Sequence, residues 1–204
     1  LGVSSPIVSG NKVIVTSQAG FAPLRPGLHP TLAGGAVDGA DQPLGGSRQD
    51  GAGGVRFLIE AFDRASGSTL WTHTVPARGP LQPVHEKANL ASSSPVTDGE
   101  RVYFHVGDLG TYCFDHDGKK LWDKAWPAYQ TRYGWGTAAS LASHEGRLYI
   151  VNDNDDEAFL VALDKTSGRE IWRADRDEKS NWATPYIWTN DRRTEIITCG
   201  TNRV

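Results

Sequence analysis

The residues best suited to bind a ligand lie in two short clusters of aromatic and polar side chains. One reads Arg132-Tyr133-Gly134-Trp135 and the other reads Asn181-Trp182. Aromatic rings offer faces for stacking, while guanidinium and amide groups offer hydrogen bonds that orient a ligand. The same side chains could instead pack against one another as a structural plug. We favour the plug, and predict as the alternative a ligand cluster of Arg132, Tyr133, Trp135, Asn181 and Trp182.

The other candidate sites, for a metal ion or for hydrolysis, have less support in the sequence. The acidic run 152–157 has ligands suited to Ca²⁺, but it lacks the glycine that an EF-hand loop requires. Apolar segments flank this run, so we interpret it as a solvated hairpin loop. No two of the six histidines have the spacing of metal ligands within one element. Ser92–Ser94 has no general base near it in sequence. We therefore predict no catalytic residue and no metal ligand.

Charge and hydropathy exclude some classes of binding partner. The net charge is −3 and no run of Lys and Arg occurs, which argues against a nucleic-acid partner. No stretch approaches the roughly 18 apolar residues that a membrane-spanning helix needs, so we predict no membrane span in this chain. The two cysteines, Cys113 and Cys199, are interpreted as small apolar residues, with a disulfide left open.

An internal repeat must position these residues. Three segments share an Asp, a Gly and a Trp in the same order, and their tryptophans are 51 and 50 residues apart. The Asp can accept hydrogen bonds from backbone N–H groups of a turn, and the Gly can supply a positive φ. The motif residues are Asp63, Gly67 and Trp71; Asp115, Gly118 and Trp122; and Asp164, Gly168 and Trp172.

A second block precedes each of these motifs. Ser4–Val15 aligns with Ser93–Phe104, Ala139–Ile150 is a third copy, and a fourth begins at Asn181. Each repeat then supplies four short strands, the size of one propeller blade. A segment rich in Gly and Pro interrupts the first repeat and is expected to be a loosely packed insertion. The predicted repeats span about 1–78 with the insertion at 18–54, 88–127, 133–178 and 179–204, the last one truncated.

The repeated pattern Ser-Ser-Pro-Val-x-x-Gly-x-x-Val-Tyr, followed by Leu-Asp-x-x-Ser-Gly-x-x-x-Trp, resembles the pyrroloquinoline-quinone-like (PQQ-like) β-propeller repeat. This repeat occurs in quinoprotein alcohol dehydrogenases, in the non-catalytic lipoprotein of the outer-membrane barrel-assembly machinery, and in uncharacterised secreted bacterial proteins. The resemblance covers residues 1–17 and about 55–204. It implies an all-β propeller of four-stranded antiparallel blades, with this chain as a partial ring of about three and a half blades in one domain.

The resemblance also implies roles for residues. Trp71, Trp122 and Trp172 would each dock on the neighbouring blade, where a large flat ring buries much apolar area. Because the innermost strand of a blade lines the central channel, the ligand cluster would lie at one channel mouth. By resemblance, the protein is expected in the periplasm or outside the cell.

Three functions are compatible with these features. The first is a non-enzymatic scaffold or binding module that needs no cofactor and contacts a protein or small ligand at the propeller face. The alternative is an oxidoreductase like the PQQ-dependent alcohol dehydrogenases, which would require PQQ and Ca²⁺. The adjacent cysteine pair typical of those enzymes is not present in this sequence. The third is a ligand-sensing module of a larger protein.

Overall fold

The computed structural model describes residues 4–20, 54–76, 81–82, 84–85, 88–107 and 109–201, and the structural statements below concern these residues. They form fourteen strands and one short 3₁₀ turn, Arg132–Gly134. The strands are β1 Ile7–Ser9, β2 Lys12–Ala19, β3 Arg56–Asp63, β4 Thr69–Pro76, β5 Val96–Thr97, β6 Arg101–Val106, β7 Gly110–Asp115, β8 Lys120–Lys124, β9 Ala142–His144, β10 Arg147–Asn152, β11 Phe159–Asp164, β12 Glu170–Asp175, β13 Tyr186–Thr189 and β14 Thr194–Ile197.

The strands form antiparallel sheets in simple sequential order. Three sheets have four strands each, β1–β4, β5–β8 and β9–β12, and β13 pairs with β14 in a fourth. This is the arrangement of propeller blades, with three whole blades and half of a fourth among the described residues. The predicted fold, an all-β propeller of four-stranded antiparallel blades, is therefore confirmed. No helix in the described ranges has the length and apolar character that crossing a bilayer requires.

The first strand of each blade is the innermost strand. β1 contacts β5, β5 contacts β9, and β9 contacts β13. The fourth strands, β4, β8 and β12, lie at the rim because each is the last strand of its sheet. Antiparallel order places the turns before the second and fourth strands at one end of the blades, which we call the turn face. The turns before the third strands and the segments joining the blades, such as 125–141, 153–158 and 176–185, lie at the other end, which we call the linker face.

The core lies between the blades, because each middle sheet is covered on both sides. In β7, Tyr112 and Phe114 pack toward the first blade, whereas Cys113 packs toward the third. This division follows from the alternation of side chains along a strand. Cys113 is buried and free, and Cys199 is exposed and free.

The first blade has longer strands than expected at its insertion. β2 continues to Ala19, and Gln18 pairs with Phe57 across the sheet. The start of the insertion at residue 18 was therefore placed too early, since Gln18 is buried and takes part in the ladder. Residues 21–53, on which the predicted loose packing depends, lie outside the described residues.

Candidate functional site

Two of the three repeated tryptophans, Trp71 and Trp122, lie on the turn glycines of the following blade. A Cβ atom added to Gly118 would lie 2.8 Å from the ring of Trp71, and one added to Gly168 would lie 2.5 Å from the ring of Trp122. Nε1 of Trp71 donates to the His116 carbonyl at 3.0 Å. Nε1 of Trp122 donates to the Lys165 carbonyl at 3.0 Å. Only a residue without a side chain leaves room for a ring here, so these glycines are required by packing as well as by their positive φ.

The repeated aspartates organise the turns that contain the motif glycines. Asp63 Oδ1 accepts hydrogen bonds from the backbone N–H of Ser66 at 2.8 Å and of Ala65 at 3.1 Å. Backbone and side-chain hydrogen bonds from Ser66 hold the pKa of Asp63 below its ordinary value. Hydrogen bonds from the side chains of Thr166 and Ser167 lower the pKa of Asp164 to about 2. The motif carboxylates are therefore structural acceptors for turn N–H groups.

A ladder of hydroxyl groups ties the blades together near their innermost strands. The backbone N–H of Ser5 donates to Ser94 Oγ at 3.0 Å. In the same way the backbone N–H of Ser94 donates to Ser140 Oγ at 2.9 Å, and that of Ser140 donates to Thr184 Oγ1 at 3.0 Å. Sequence reasoning missed this ladder, although the aligned blocks carry its signal: all four positions hold a hydroxyl residue.

The acidic run 152–157 is not a solvated loop over its first half. Asp153 has a fully buried side chain and pairs with Arg176 through contacts of 2.7 and 3.1 Å. Asn152 and Asn154 are also buried. The interpretation as a solvated hairpin loop was therefore wrong here, because an arginine 23 residues away compensates the buried charge.

The second half of the run positions the candidate ligand cluster. Asp155 Oδ1 accepts a hydrogen bond from Ser180 Oγ at 2.8 Å, and Ser180 Oγ accepts one from the backbone N–H of Arg132 at 2.7 Å. Asp156 accepts from the backbone N–H of Gln130 at 2.7 Å. This chain of hydrogen bonds clamps the segment in front of the 3₁₀ turn on the linker face.

The 3₁₀ turn itself is held in an unusual conformation. Tyr133 has a φ of 57°, in the left-handed region that non-glycine residues rarely adopt. The backbone N–H groups of Gly134 and Trp135 donate to the carbonyls of Thr131 and Arg132 at 2.8 and 3.2 Å. The Tyr133 side chain is 53% exposed, and the Arg132 guanidinium lies 5.5 Å from the centroid of its ring. The turn therefore presents an aromatic ring and a cation to solvent.

The other aromatic residues of the cluster pack together. Trp135 lies 5.5 Å from Trp182 and 5.9 Å from His85, measured between ring centroids. Nε1 of Trp182 donates to the Gly136 carbonyl at 2.7 Å. Tyr133 joins this group at 5.3 Å from Trp135. Trp135 and Trp182 thus have the geometry of a plug, whereas Tyr133 and Arg132 remain outside it.

Asn181 makes hydrogen bonds with backbone groups beside Trp135 and Trp182. Its Oδ1 accepts from the backbone N–H of Ala183 at 2.7 Å, and its own N–H donates to the Asp153 carbonyl at 3.4 Å. A cavity of about 10 Å³ borders Asn181 and Trp182, together with His105, Thr131 and Thr137. That volume is about the size of one water molecule. The five residues of the predicted cluster are therefore neighbours, but only Asn181 and Trp182 border this cavity.

The described residues do not fit PQQ or Ca²⁺. The cavity beside Trp182 is far smaller than a tricyclic quinone. A larger depression of about 470 Å³ lies along β13–β14, but Trp188 is the single aromatic residue that lines it, whereas a quinone held between two rings would need a second. Among the described residues, no group of three or more His, Cys, Asp or Glu could hold a metal ion. This part of the chain therefore gives no basis for a reaction step through a quinone.

Four-stranded blades joined by tryptophans on turn glycines define the class of PQQ-like β-propellers. The family model described as outer membrane protein assembly factor BamB matches residues 55–128 and 107–192, so the chain belongs to this family. No curated protein matches the sequence.

Solved structures resemble the chain at low sequence identity. A europium-containing methanol dehydrogenase is 14% identical with a TM-score of 0.49, over 83% of this chain and 24% of that one. The quinohemoprotein alcohol dehydrogenase from Comamonas testosteroni is 16% identical with a TM-score of 0.42, over 58% and 18%. BamB from Moraxella catarrhalis is 14% identical with a TM-score of 0.41, over 87% and 53%. The chain thus covers about half of that BamB chain and a quarter or less of the two dehydrogenases.

Proposed function

We propose that this chain is part of a non-enzymatic β-propeller scaffold that binds another protein, in the periplasm or outside the cell. Membership of the family described as an outer membrane protein assembly factor supports a protein partner and this location. On the described surface, the proposed contact is the turn that carries Arg132 and Tyr133 on the linker face. The family description favours a role in protein assembly for this binding.

The observation that carries this proposal is the state of Tyr133. A non-glycine residue at positive φ costs about 1–3 kcal/mol, and it persists only where the surroundings impose it. Here the imposing contacts are the hydrogen bonds of the turn and the clamp from Asp155 through Ser180 to Arg132. The result is an exposed aromatic ring, fixed before binding. A preorganised aromatic side chain lowers the entropic cost of association.

Photo-crosslinking tests this proposal. A photoreactive amino acid at position 133 of the full-length protein, in the cells that produce it, should form an adduct with one specific protein. The matched control is the same amino acid at Glu100, whose side chain is 80% exposed on the turn face. Adducts would be identified by mass spectrometry. Equal labelling from both positions, or none from position 133, would count against the turn as the contact.

A Tyr133→Gly variant separates binding from folding. Glycine adopts a positive φ without steric cost, so the free energy of unfolding should stay the same or rise by up to about 1 kcal/mol. Binding of the crosslinked partner should nevertheless weaken, because the ring is gone. A clear loss of stability in denaturant unfolding would show that Tyr133 serves the fold.

We also propose that the protein does not bind PQQ. The full-length protein would be titrated with PQQ and Ca²⁺ while its tryptophan fluorescence is followed. We expect no saturable quenching, because Trp135 is already packed between Trp182 and His85. Saturable quenching at about micromolar PQQ that is lost in a Trp135→Ala variant would replace the scaffold with the oxidoreductase.

A further inference from the structure

The cavity beside Asn181 and Trp182 is lined by parts of two blades. His105 belongs to β6 of the second blade, and Asn152 is the last residue of β10 in the third. Thr137 lies in the segment that joins these two blades. The volume of about 10 Å³ is close to the least that holds one water molecule, and a cavity with apolar walls would stay dry. The polarity of the walls therefore decides what this cavity binds.

Thr137 contributes a polar group that lacks a protein partner. Its Oγ1 is buried and has no hydrogen-bond partner among the described residues. The side chain packs against Gly107, where an added Cβ atom would overlap it. Gly107 directly follows β6, so this contact holds Thr137 beside the strand that carries His105. Because a buried hydroxyl without a hydrogen bond is costly, a partner inside the cavity is favoured.

His105 offers a hydrogen-bond donor to the same cavity. Its side chain is buried, and its Nδ1 lies 3.1 Å from Thr111 Oγ1. Thr111 Oγ1 accepts a hydrogen bond from Trp126 Nε1 at 2.8 Å, so its own hydrogen is available to Nδ1. A neutral imidazole that accepts at Nδ1 carries its hydrogen at Nε2. Nε2–H is then a donor without an acceptor in the described part of the chain, on a ring that lines the cavity.

Asn152 adds a second donor. Its Oδ1 and its backbone carbonyl both accept from Asn154 Nδ2, at 3.2 and 3.1 Å. Its own Nδ2 carries two hydrogens, and no residue that the structure describes accepts them. Two donors and one hydroxyl give about three polar partners, the usual number for a buried water. These donors disfavour a cation, and the carboxylate in the wall, Asp153, already pairs with Arg176.

We propose that this cavity binds one water molecule, which joins the second blade to the third. The water accepts hydrogen bonds from His105 Nε2 and Asn152 Nδ2 and donates one to Thr137 Oγ1. It thereby satisfies three buried groups that lack a partner among the described protein atoms. Chloride is disfavoured, because the space is no larger than a water and no Lys or Arg lines it. This site does not depend on whether the turn of Tyr133 binds another protein.

A high-resolution crystal structure of the complete protein tests the proposal. The wild type should show density for one water within hydrogen-bond distance of His105, Asn152 and Thr137. Thr137→Val removes the hydroxyl and puts a larger methyl group into a cavity without spare volume, so the water should be lost. Thr137→Ser keeps the hydroxyl and is the matched control, which should retain the water. In solution, ¹⁷O relaxation dispersion should report about one fewer long-lived water for Thr137→Val and no change for Thr137→Ser.

The proposal fails if the wild-type cavity shows no density, or if Thr137→Val keeps the water. It also fails if the bound species is chloride, which would give an anomalous diffraction peak after bromide replaces chloride in the crystal. If Thr137→Val does not fold, the wild-type density and the bromide crystal decide the question.

Discussion

Replacing Trp122 with Ala is expected to lower the free energy of unfolding of the complete protein by about 3–5 kcal/mol. The ring of Trp122 lies between the second and third blades, on Gly168 and 6.2 Å from the Tyr103 ring. Its Nε1 also donates to the Lys165 carbonyl. Removing the ring leaves a cavity at the blade interface and one carbonyl without its donor. Denaturant unfolding followed by circular dichroism measures the change.

Trp188→Ala is the control for this substitution. Trp188 is 46% exposed in β13, so its loss should cost far less than the loss of Trp122.

A substitution of Gly168 also tests the packing of the Trp122 ring. Gly168→Ala places a methyl group in the ring and strains a φ of +69°, so it should destabilise as well. Because both changes disrupt one contact, their costs together should be less than additive. A cost below about 1 kcal/mol for Trp122→Ala would remove it from this interface.

The repeat predicted the blades because its signals are local. An Asp that accepts turn N–H groups, a Gly at positive φ and a strand-like run before them act within a few residues. These signals set the hairpins of Asp63, Asp115 and Asp164, and the constant spacing of the tryptophans implied stacked equivalent units. The antiparallel order of the second and third sheets then follows from short connections alone.

The candidate site was harder to predict because its contacts are distant in sequence. The acidic run suggested exposure, yet Asp153 is buried by a pair with Arg176 in the segment after β12. Nothing in the residue type of Tyr133 indicates a positive φ. The turn that contains it is held by its own hydrogen bonds and by Asp155 and Ser180, which lie in later segments of the chain. Sequence placed Tyr133, Trp135 and Trp182 near one another, but only the structure separates the exposed ring from the packed ones.

Acidification from pH 6.5 to 4 is expected to lower the free energy of unfolding by about 3 kcal/mol through His105. Burial lowers the pKa of His105 from its ordinary value of 6.5 to about 4. In the unfolded chain the imidazole takes up a proton near pH 6.5, whereas in the folded chain it resists until about pH 4. The unfolded state therefore binds more protons in this window, so stability is complete above it and falls as the pH is lowered.

The surroundings of His105 explain why its neutral form is held. Nδ1 lies 3.1 Å from Thr111 Oγ1, which accepts a hydrogen bond from Trp126 Nε1 at 2.8 Å. The Thr111 hydroxyl hydrogen can then be donated to Nδ1, and this arrangement is lost when Nδ1 carries a proton. The carboxylate nearest the adjoining cavity, Asp153, is already paired with Arg176 and offers little compensation to a second cation.

A His105→Gln variant isolates this effect from the other histidines. Glutamine keeps a hydrogen-bonding group near Thr111 but does not titrate, so the difference in unfolding free energy between variant and wild type should change by about 3 kcal/mol between pH 6.5 and 4, with a slope of up to about 1.4 kcal/mol per unit in the middle of this window. Carboxylates titrate in both proteins, so their effect cancels in this difference. Although burial opposes it, the hydrogen bonds from Lys165, Arg101, Glu100 and Tyr103 hold the pKa of Asp98 below its ordinary 3.8, and its stabilising contribution is lost progressively below about pH 5 in variant and wild type alike. A His105 resonance that titrates near pH 6.5 in the folded protein would contradict the expectation directly, whether or not the variant folds.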